Sequence, residues 1–206
     1  MHKTLPNVGI IEDKLSKETI NKLKSCIKDK QHKMNKKLAG NISESFSIPD
    51  KKNWFFKTVL LPLINQYSPK NLAAIVPSVL TENCPFVLHE FWVNFQKKFE
   101  FNPAHNHTGA FSFVIWLDIP SSYNKEKELH FTKHSNTPMA NAFEFCYTNI
   151  LGQVATYSYL LEAEDEGTIL LFPSSLVHLV YPFYLSNKDR VSISGNILLD
   201  PKKVIK

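Results

Sequence analysis

The chain has 206 residues, of which 43% are hydrophobic and 21% charged, and its formal net charge is +5. This composition is typical of a folded globular protein and excludes long disordered stretches. No apolar run approaches the roughly 20 residues of a membrane helix, and the first residues lack the apolar core of a secretory signal. The widely spaced Cys26, Cys84 and Cys146 predict neither a zinc site nor a disulfide framework, which favours a reducing cytoplasm.

The positive charge is concentrated in the first third of the chain. Residues 1–70 contain fourteen lysines and six acids, a net of +8, whereas residues 71–206 have ten basic and thirteen acidic residues, a net of −3. Such a region could contact nucleic acid or another acidic partner. However, no aromatic residues alternate with the lysines as in single-strand binders, so a solvated lysine-rich helix face is the simpler interpretation.

Helical patterns occupy this first third. Ser16 is a candidate N-cap, and Asp50 is a candidate cap for a second helix that Pro62 is expected to kink or end. The segment between the helices, residues 38–49, is expected to be irregular or extended. The apolar positions of the two helices are Leu15, Ile20, Leu23 and Ile27, and then Trp54, Phe55, Val59 and Leu63.

From about residue 85 the apolar residues alternate with period 2, which is typical of strands. Eight short strands with turn residues between them predict an all-β sandwich or barrel. We therefore expect a mainly β protein with N-terminal helices, in which residues 1–206 form one domain and a mostly helical region 1–84 packs on a barrel at 85–200. The strands are predicted at 86–96, 111–117, 128–133, 142–148, 154–162, 167–172, 178–184 and 190–199.

Three histidines have the spacing of a metal site. His105 and His107 lie two apart in NPAHNHTG, so in an extended segment both rings point to the same side and can reach one ion. His178 follows in LFPSSLVHLVYPF, at the start of a predicted strand. A pair at one strand end and a third ligand from a distant strand are compatible with a metal site in a barrel. The alternative is three unrelated histidines.

Arg190 is the only arginine among twenty-four basic residues, and it opens the segment RVSISGN. Alternation puts Arg190, Ser192, Ser194 and Asn196 on one strand face, which either lines a pocket or faces solvent. The planar guanidinium can bind a carboxylate with two hydrogen bonds, and a serine two residues away can reach the same group. The sequence favours a pocket that binds an acidic ligand.

The segments NPAHNHTGAFSFVIWL, GTILLFPSSLVHLVYPF and RVSISGN together resemble the Fe(II)- and 2-oxoglutarate-dependent oxygenases. The likeness covers roughly residues 86–199, and LAGNI at 38–42 could extend it. The likeness is greatest to a largely uncharacterised, prolyl-hydroxylase-like branch that is common in bacteriophage and marine bacterial genomes. If the protein is encoded by a phage, we expect it to act in the cytoplasm of the host. The resemblance implies a double-stranded β-helix, or jelly roll.

The resemblance also implies roles for individual residues. His105 and His107 take the place of the first metal-ligand motif, and His178 takes that of the distal ligand. Arg190 and Ser192 correspond to the pair that binds the distal carboxylate of 2-oxoglutarate, and Asn94 is expected to line the pocket. The implied reaction uses Fe(II), 2-oxoglutarate and O2, hydroxylates an unidentified prime substrate, and releases succinate and CO2.

One position departs from the family pattern. Most such enzymes have His-x-Asp, with two histidines and one carboxylate around the metal, whereas this chain has His107 at the second position. Three neutral imidazoles would leave the site more positive by one charge. Asp118 and Glu100 are nearby carboxylates that could serve instead, although their spacing fits less well than that of His107.

Two other functions stay open at this point. A cupin shares the barrel and uses His-x-His, and residues 167–173 followed by His178 resemble its second motif, with Ser175 where a glycine is usual. The first cupin motif, however, needs a glutamate a few residues after His-x-His, and residues 108–118 contain none; a cupin also has no role for Arg190 and Ser192. The other alternative is a non-catalytic jelly-roll binding or structural protein of a phage. The segment 121–150 is expected to form strands and a loop near the pocket mouth, with His130 and His134 exposed.

Overall fold

The described part of the chain, residues 7–67, 84–200 and 202–203 of a computed structural model, contains ten strands and three α-helices. The helices are α1 (Lys17–Lys28), α2 (Leu61–Gln66) and α3 (Tyr123–Glu126), and a π-helical turn at Phe56–Leu60 precedes α2. The strands are β1 (Ile11–Lys14), β2 (Glu44–Ser47), β3 (Phe86–Gln96), β4 (Asn102–His105), β5 (Phe111–Asp118), β6 (Ala142–Thr148), β7 (Val154–Leu160), β8 (Thr168–Pro173), β9 (Val177–Val180) and β10 (Arg190–Leu199).

These strands form two antiparallel sheets. The larger sheet has the order β1-β8-β5-β10-β3-β2, and the smaller has the order β4-β9-β6-β7. Alternating residues of both sheets point inwards and pack against each other, among them Trp116 of β5, Phe143 of β6 and Phe172 of β8. The architecture is a double-stranded β-helix, or jelly roll, and it confirms the predicted mainly β fold with N-terminal helices.

The outer face of the larger sheet is covered by the N-terminal helices. Leu23 of α1 and Phe55, just before the π-helical turn, are fully buried in the same cluster as Phe113 and Ile193 of the sheet. Because β5 is covered on both faces, seven of its eight residues are buried. Its sequence is consequently an apolar run, FSFVIWLD, rather than a strict alternation of apolar and polar residues.

The Ser16 cap is confirmed, whereas Asp50 makes no side-chain cap bond to the 3-10 turn at Lys51–Asn53 and instead caps the helical turn that follows it. Ser16 Oγ accepts a hydrogen bond from the Thr19 N–H (3.2 Å), and the Asp50 carboxylate accepts from the N–H groups of Phe55 (2.8 Å) and Phe56 (3.0 Å). The second helical segment nevertheless passes through Pro62 and ends at Gln66. Proline lacks an N–H and crowds the carbonyl four residues earlier, and the wider π-helical turn directly before α2 accommodates this.

Three short strands and one turn region differ from the sequence prediction. β1 pairs with β8, β2 pairs with β3, and β4 pairs with β9, although none of the three was predicted as a strand. The predicted strand at 128–133 is wrong, because this segment forms turns in which Thr132 Oγ1 donates to the carbonyl of Glu126. The predicted strand at 178–184 is shorter and ends at Val180. The helical prediction for residues 68–83 falls outside the described residues.

Candidate metal and co-substrate site

The fold brings the three predicted histidines together. His105, the last residue of β4, lies directly opposite His178 of β9 in the antiparallel register. His107 follows in the turn, where its backbone N–H donates to the carbonyl of Ser174 (2.8 Å). One possible ligand nitrogen from each of the three imidazoles lies within 4.8 Å of the other two. The two-residue spacing of His105 and His107 therefore aims both rings at His178.

Two of the rings have a fixed orientation. The Nδ1 atom of His105 lies 2.7 Å from the carbonyl oxygen of Pro103, and that of His178 lies 2.9 Å from the carbonyl oxygen of Leu176. A carbonyl can only accept, so Nδ1 must carry the proton in each ring. This tautomer leaves the Nε2 lone pair free, and a backbone carbonyl on the other ring nitrogen is a normal support for a metal-binding histidine.

The surroundings favour the neutral form of all three imidazoles. Burial lowers the pKa of His178 to about 3 and that of His107 to about 4, and the neighbouring His105 adds to both shifts. Burial also lowers the pKa of His105. Neutral imidazole is the form that binds a metal, so at neutral pH the cluster needs to lose no proton before an ion enters.

Neither of the two alternative carboxylates joins the cluster. Asp118 pairs with Lys24 (2.9 Å), and the Glu100 carboxylate accepts from the N–H groups of Ser43 (3.0 Å) and Lys97 (2.9 Å). In the described ranges, the metal-type cluster consists of histidines alone. Three imidazole nitrogens suit several divalent transition metals, including Fe(II), so the residues fit the metal that the sequence resemblance implies.

Arg190 lies in the same pocket as the histidines and is 1% exposed. Gln96 Oε1 accepts from its Nε (3.2 Å) and Nη2 (2.8 Å), Asn141 Oδ1 accepts from Nη1 (2.9 Å), and the Tyr181 carbonyl accepts from Nη2 (2.8 Å). Burial lowers the pKa of Arg190 to about 9, and Glu126 partly opposes that shift. Over the described ranges, no carboxylate oxygen lies within 4.0 Å of this guanidinium.

The four polar residues that share one face of β10 do not all line the pocket. Ser192 and Ser194 line the pocket with Arg190. Asn196 does not line it, because it accepts a hydrogen bond from Ser112 Oγ (2.8 Å) and donates one to Glu90 (2.6 Å). The pocket therefore ends before Asn196 along this strand.

Asn94 is buried and lines the pocket, directly opposite Ser192 in the register of β3 and β10. Its Oδ1 accepts from Ser45 Oγ (2.7 Å), which ties β2 to the site. Gln96 on the same face also lines the pocket, yet sequence reasoning assigned it no role. Its position two residues after Asn94 was the signal that could have identified it.

Residues 38–42, the LAGNI segment that we call the strap, also line this pocket, through Leu38, Ala39, Gly40 and Ile42. The strap lies against the start of β4: the Asn41 N–H donates to the carbonyl of Phe101, the residue before β4 (2.8 Å), and Gly40 lies against Asn102 of β4. The irregular register of β4 between Asn102 and His105 allows both residues to line the pocket.

His130 and His134 are exposed in the turns after α3, as expected.

Jelly-roll proteins with a histidine cluster and a buried arginine in one pocket include metal-dependent oxygenases. A family model described as "Putative 2OG-Fe(II) oxygenase" matches residues 90–196, which is just over half of the chain. The chain belongs to this family and is an Fe(II)- and 2-oxoglutarate-dependent oxygenase that uses O2. The match decides against the cupin alternative. A comparison with curated proteins found no match.

Solved structures share the fold at low sequence identity. A Pseudomonas putida prolyl-4-hydroxylase is 12% identical with a TM-score of 0.50, and the match covers 94% of each chain. HygX from Streptomyces hygroscopicus, solved with nickel and 2-oxoglutarate bound, is 11% identical with a TM-score of 0.52, covering 94% of this chain and 83% of that one. The epimerase SnoN from nogalamycin biosynthesis is 10% identical with a TM-score of 0.51, covering 94% and 79%. These likenesses establish the fold alone.

Proposed function

We propose that His105, His107 and His178 bind Fe(II), and that Arg190 and Ser192 bind the distal carboxylate of 2-oxoglutarate, in an enzyme that hydroxylates its prime substrate. The observation that carries this proposal is a buried guanidinium with no carboxylate partner among the described residues, in the same pocket as three neutral imidazoles. A buried cation is costly unless an anion compensates it. A dicarboxylate that also reaches the metal would supply that anion.

The metal would supply the oxidative chemistry, in which O2 and 2-oxoglutarate give succinate and CO2 while the prime substrate is oxidised. The protein's own groups would bind and orient the reactants. The backbone carbonyls of Pro103 and Leu176 hold two of the imidazoles in the ligand tautomer. The ring of Phe143 stacks on that of His178 (centroids 5.5 Å apart), which shields this ligand from water.

We further propose that Asn94 contributes to the co-substrate pocket, because it is buried opposite Ser192 and Ser45 fixes its amide oxygen. We also infer that residues 1–206 act as one domain, since β1 and β2 of the N-terminal region extend the larger sheet and α1 covers it.

We propose that the protein is located in the reducing cytoplasm. The three cysteines are free thiols, which supports this location: Cys26, Cys84 and Cys146. Each helix in the described ranges is too short or too polar to span a bilayer.

Separate measurements of metal and co-substrate binding test the assignment. His178→Ala should abolish tight binding of Ni(II), an inert substitute for Fe(II), as measured by calorimetry. Arg190→Ala should retain Ni(II) and lose most of the affinity for 2-oxoglutarate. His134→Ala removes an exposed histidine outside the pocket and should leave both affinities unchanged. Equal loss of metal in the His178 and Arg190 variants would contradict the separate roles.

The prime substrate is best sought by its effect on turnover. Peptides, nucleic acids and small metabolites should be screened for increased succinate release from the Fe(II)-loaded enzyme. His178→Ala is the matched negative control, because it should release no succinate with any compound. A substrate class that raises succinate release only in the wild type would identify the target of hydroxylation.

A further inference from the structure

The side chains around Arg190 are arranged to orient its guanidinium without neutralising it. Its three nearest acceptors are the amide oxygens of Gln96 and Asn141 and the carbonyl oxygen of Tyr181, all of which are uncharged. Glu126 is the carboxylate whose charge acts on Arg190, but its oxygens accept from Ser121 Oγ and from backbone N–H groups of Tyr184 and Leu185. Neutral acceptors thus fix the position of the guanidinium, and no carboxylate among the described residues bonds to it directly.

The amide of Gln96 can face Arg190 in one orientation only. Gln96 is 3% exposed, and its Nε2 donates to the carbonyl of Glu100 (2.5 Å). Since a carbonyl cannot donate, the nitrogen must point to Glu100 and the oxygen to Arg190. Gln96 is also the direct register partner of Arg190 in the pairing of β3 with β10, so the backbone holds the two side chains opposite each other.

Asn141 is fixed in the same way from the other side. It is fully buried, and its Nδ2 donates to the carbonyls of Ser121 (2.6 Å) and Leu161 (2.8 Å). Its oxygen must therefore face Arg190. Its backbone has a φ of 45°, in the left-handed region that asparagine tolerates better than most residues. Two amides with no freedom to flip thus hold the guanidinium between them.

This arrangement leaves few N–H groups for a ligand. Gln96 and Tyr181 take up Nε and both N–H groups of Nη2, and Asn141 takes one of the two on Nη1. One N–H of Nη1 has no acceptor in the described part of the chain. A carboxylate in the pocket would then be held by the positive charge, which has no directly bonded carboxylate among the described residues, by this single N–H and by a hydroxyl such as that of Ser192. Charge, more than a two-bond fork, would determine the affinity.

We propose that Gln96 and Asn141 are positioning residues that keep Arg190 an oriented and unpaired cation, and thereby select a 2-oxoacid with a second, distal carboxylate. This inference rests on the proposed function of Arg190. It predicts that a carboxylate at position 96 would pair with Arg190 and compete with the distal carboxylate of the co-substrate. The 2-oxo end, which binds at the metal, would be unaffected.

Gln96→Glu tests this directly, because it adds one charge with almost no change in shape. The probes are 2-oxoglutarate and 2-oxopentanoate, which has the same carbon chain without the distal carboxylate, each titrated by calorimetry into the Ni(II)-loaded protein. We expect 2-oxoglutarate to bind at least about tenfold more weakly, as for the loss of a close charge pair, with 2-oxopentanoate and Ni(II) affinities unchanged. Gln153→Glu, the same change at an exposed turn, should alter none of these affinities.

Gln96→Met is the second variant, because the buried glutamate could prevent folding. It removes the acceptor without adding a charge, so the guanidinium loses its orientation and 2-oxoglutarate should bind more weakly than in the wild type. Unchanged 2-oxoglutarate affinity in either folded variant, or an equal loss for both 2-oxoacids, would overturn the inference. Failure of the proposed function is a different result: wild-type protein that binds Ni(II) but does not prefer 2-oxoglutarate over 2-oxopentanoate.

Discussion

His105 and His178 are direct partners across the antiparallel pair of β4 and β9, and their ring centroids lie 4.3 Å apart. Side chains at opposed positions in such a pair project to the same face of the sheet. Two of the three proposed ligands are therefore positioned by strand register, and only His107 depends on the conformation of a turn. We consequently expect metal binding to be more sensitive to the pairing of β4 with β9 than to changes in the loops.

The sequence resemblance implies a carboxylate at the position of His107, so His107→Asp tests what the third imidazole does. The variant should still bind Ni(II), because carboxylate oxygen is also a ligand for divalent metals. It should bind the anionic 2-oxoglutarate more weakly, by about three- to tenfold, because the charge of the site falls by one. Calorimetry on the Ni(II)-loaded protein measures both affinities. His134→Asp adds the same charge at an exposed turn and should leave them unchanged, and tighter 2-oxoglutarate binding in His107→Asp would contradict this prediction.

The histidine cluster should make the stability of the metal-free protein depend on pH. The pKa values of His107 (about 4) and His178 (about 3) lie below the value of about 6.5 expected in the unfolded chain. The unfolded state therefore binds more protons between these values. The stabilisation from the neutral folded rings should be complete above about pH 6.5 and lost progressively as the pH falls through about 4 for His107 and towards about 3 for His178.

Urea unfolding of the metal-free protein between pH 7 and pH 5 measures this dependence. The double variant His107→Phe, His178→Phe should show a shallower decline over that interval, because two of the responsible groups are gone. Both proteins contain the same carboxylates, so the difference between their pH slopes reports on the two histidines alone. Identical slopes would show that these histidines do not have the lowered pKa values.

Gly40 allows the strap to lie against β4. A Cβ atom at this position would lie 2.2 Å from Oδ1 of Asn102, a buried atom that has no hydrogen-bond partner among the described residues. Gly40→Ala should displace the strap and lower the free energy of unfolding by about 1–3 kcal/mol, the usual range for overpacking. Urea unfolding measures the loss. Gly9→Ala is the control, since nothing lies within 4 Å of a Cβ there, and equal stability of the two variants would contradict the contact.

Gly195 is required for the close spacing of three central strands. A Cβ on this residue of β10 would lie 2.5 Å from the Glu90 carbonyl oxygen of β3 and 2.7 Å from the Phe113 ring of β5. Backbone cannot yield as a flexible side chain can, so Gly195→Ala should destabilise the protein by about 3 kcal/mol or more. The melting temperature should fall further than in Gly40→Ala. A melting temperature equal to that of the wild type would show that β3 and β10 lie further apart.

Much of the site could be predicted because it depends on short local patterns. The two-residue spacing of His105 and His107, and of Arg190 and Ser192, defines a common face in any extended segment, whatever the rest of the fold. Asn141 could not be found in this way. It lies 49 residues from Arg190 in the sequence, and its orientation depends on carbonyls of two different loops.

The missed elements have similar explanations. β1 and β2 are four residues each and lie at the two edges of the larger sheet, so a strand-length apolar pattern is absent. The segment 128–133 contains residues that favour strands, but the buried Glu126 caps the N–H groups of Tyr184 and Leu185 and fixes the preceding helical turn. Tertiary hydrogen bonds outweighed local propensity in that segment.

Succinate production tests the central claim most directly. The protein should be reconstituted anaerobically with Fe(II), mixed with 2-oxoglutarate and O2, and analysed for succinate together with His178→Ala and Arg190→Ala. We expect the wild type to consume 2-oxoglutarate and form succinate, His178→Ala to form none, and Arg190→Ala to recover part of its rate at high 2-oxoglutarate concentration. Wild-type protein that binds no Fe(II) and leaves 2-oxoglutarate unconsumed would contradict the account.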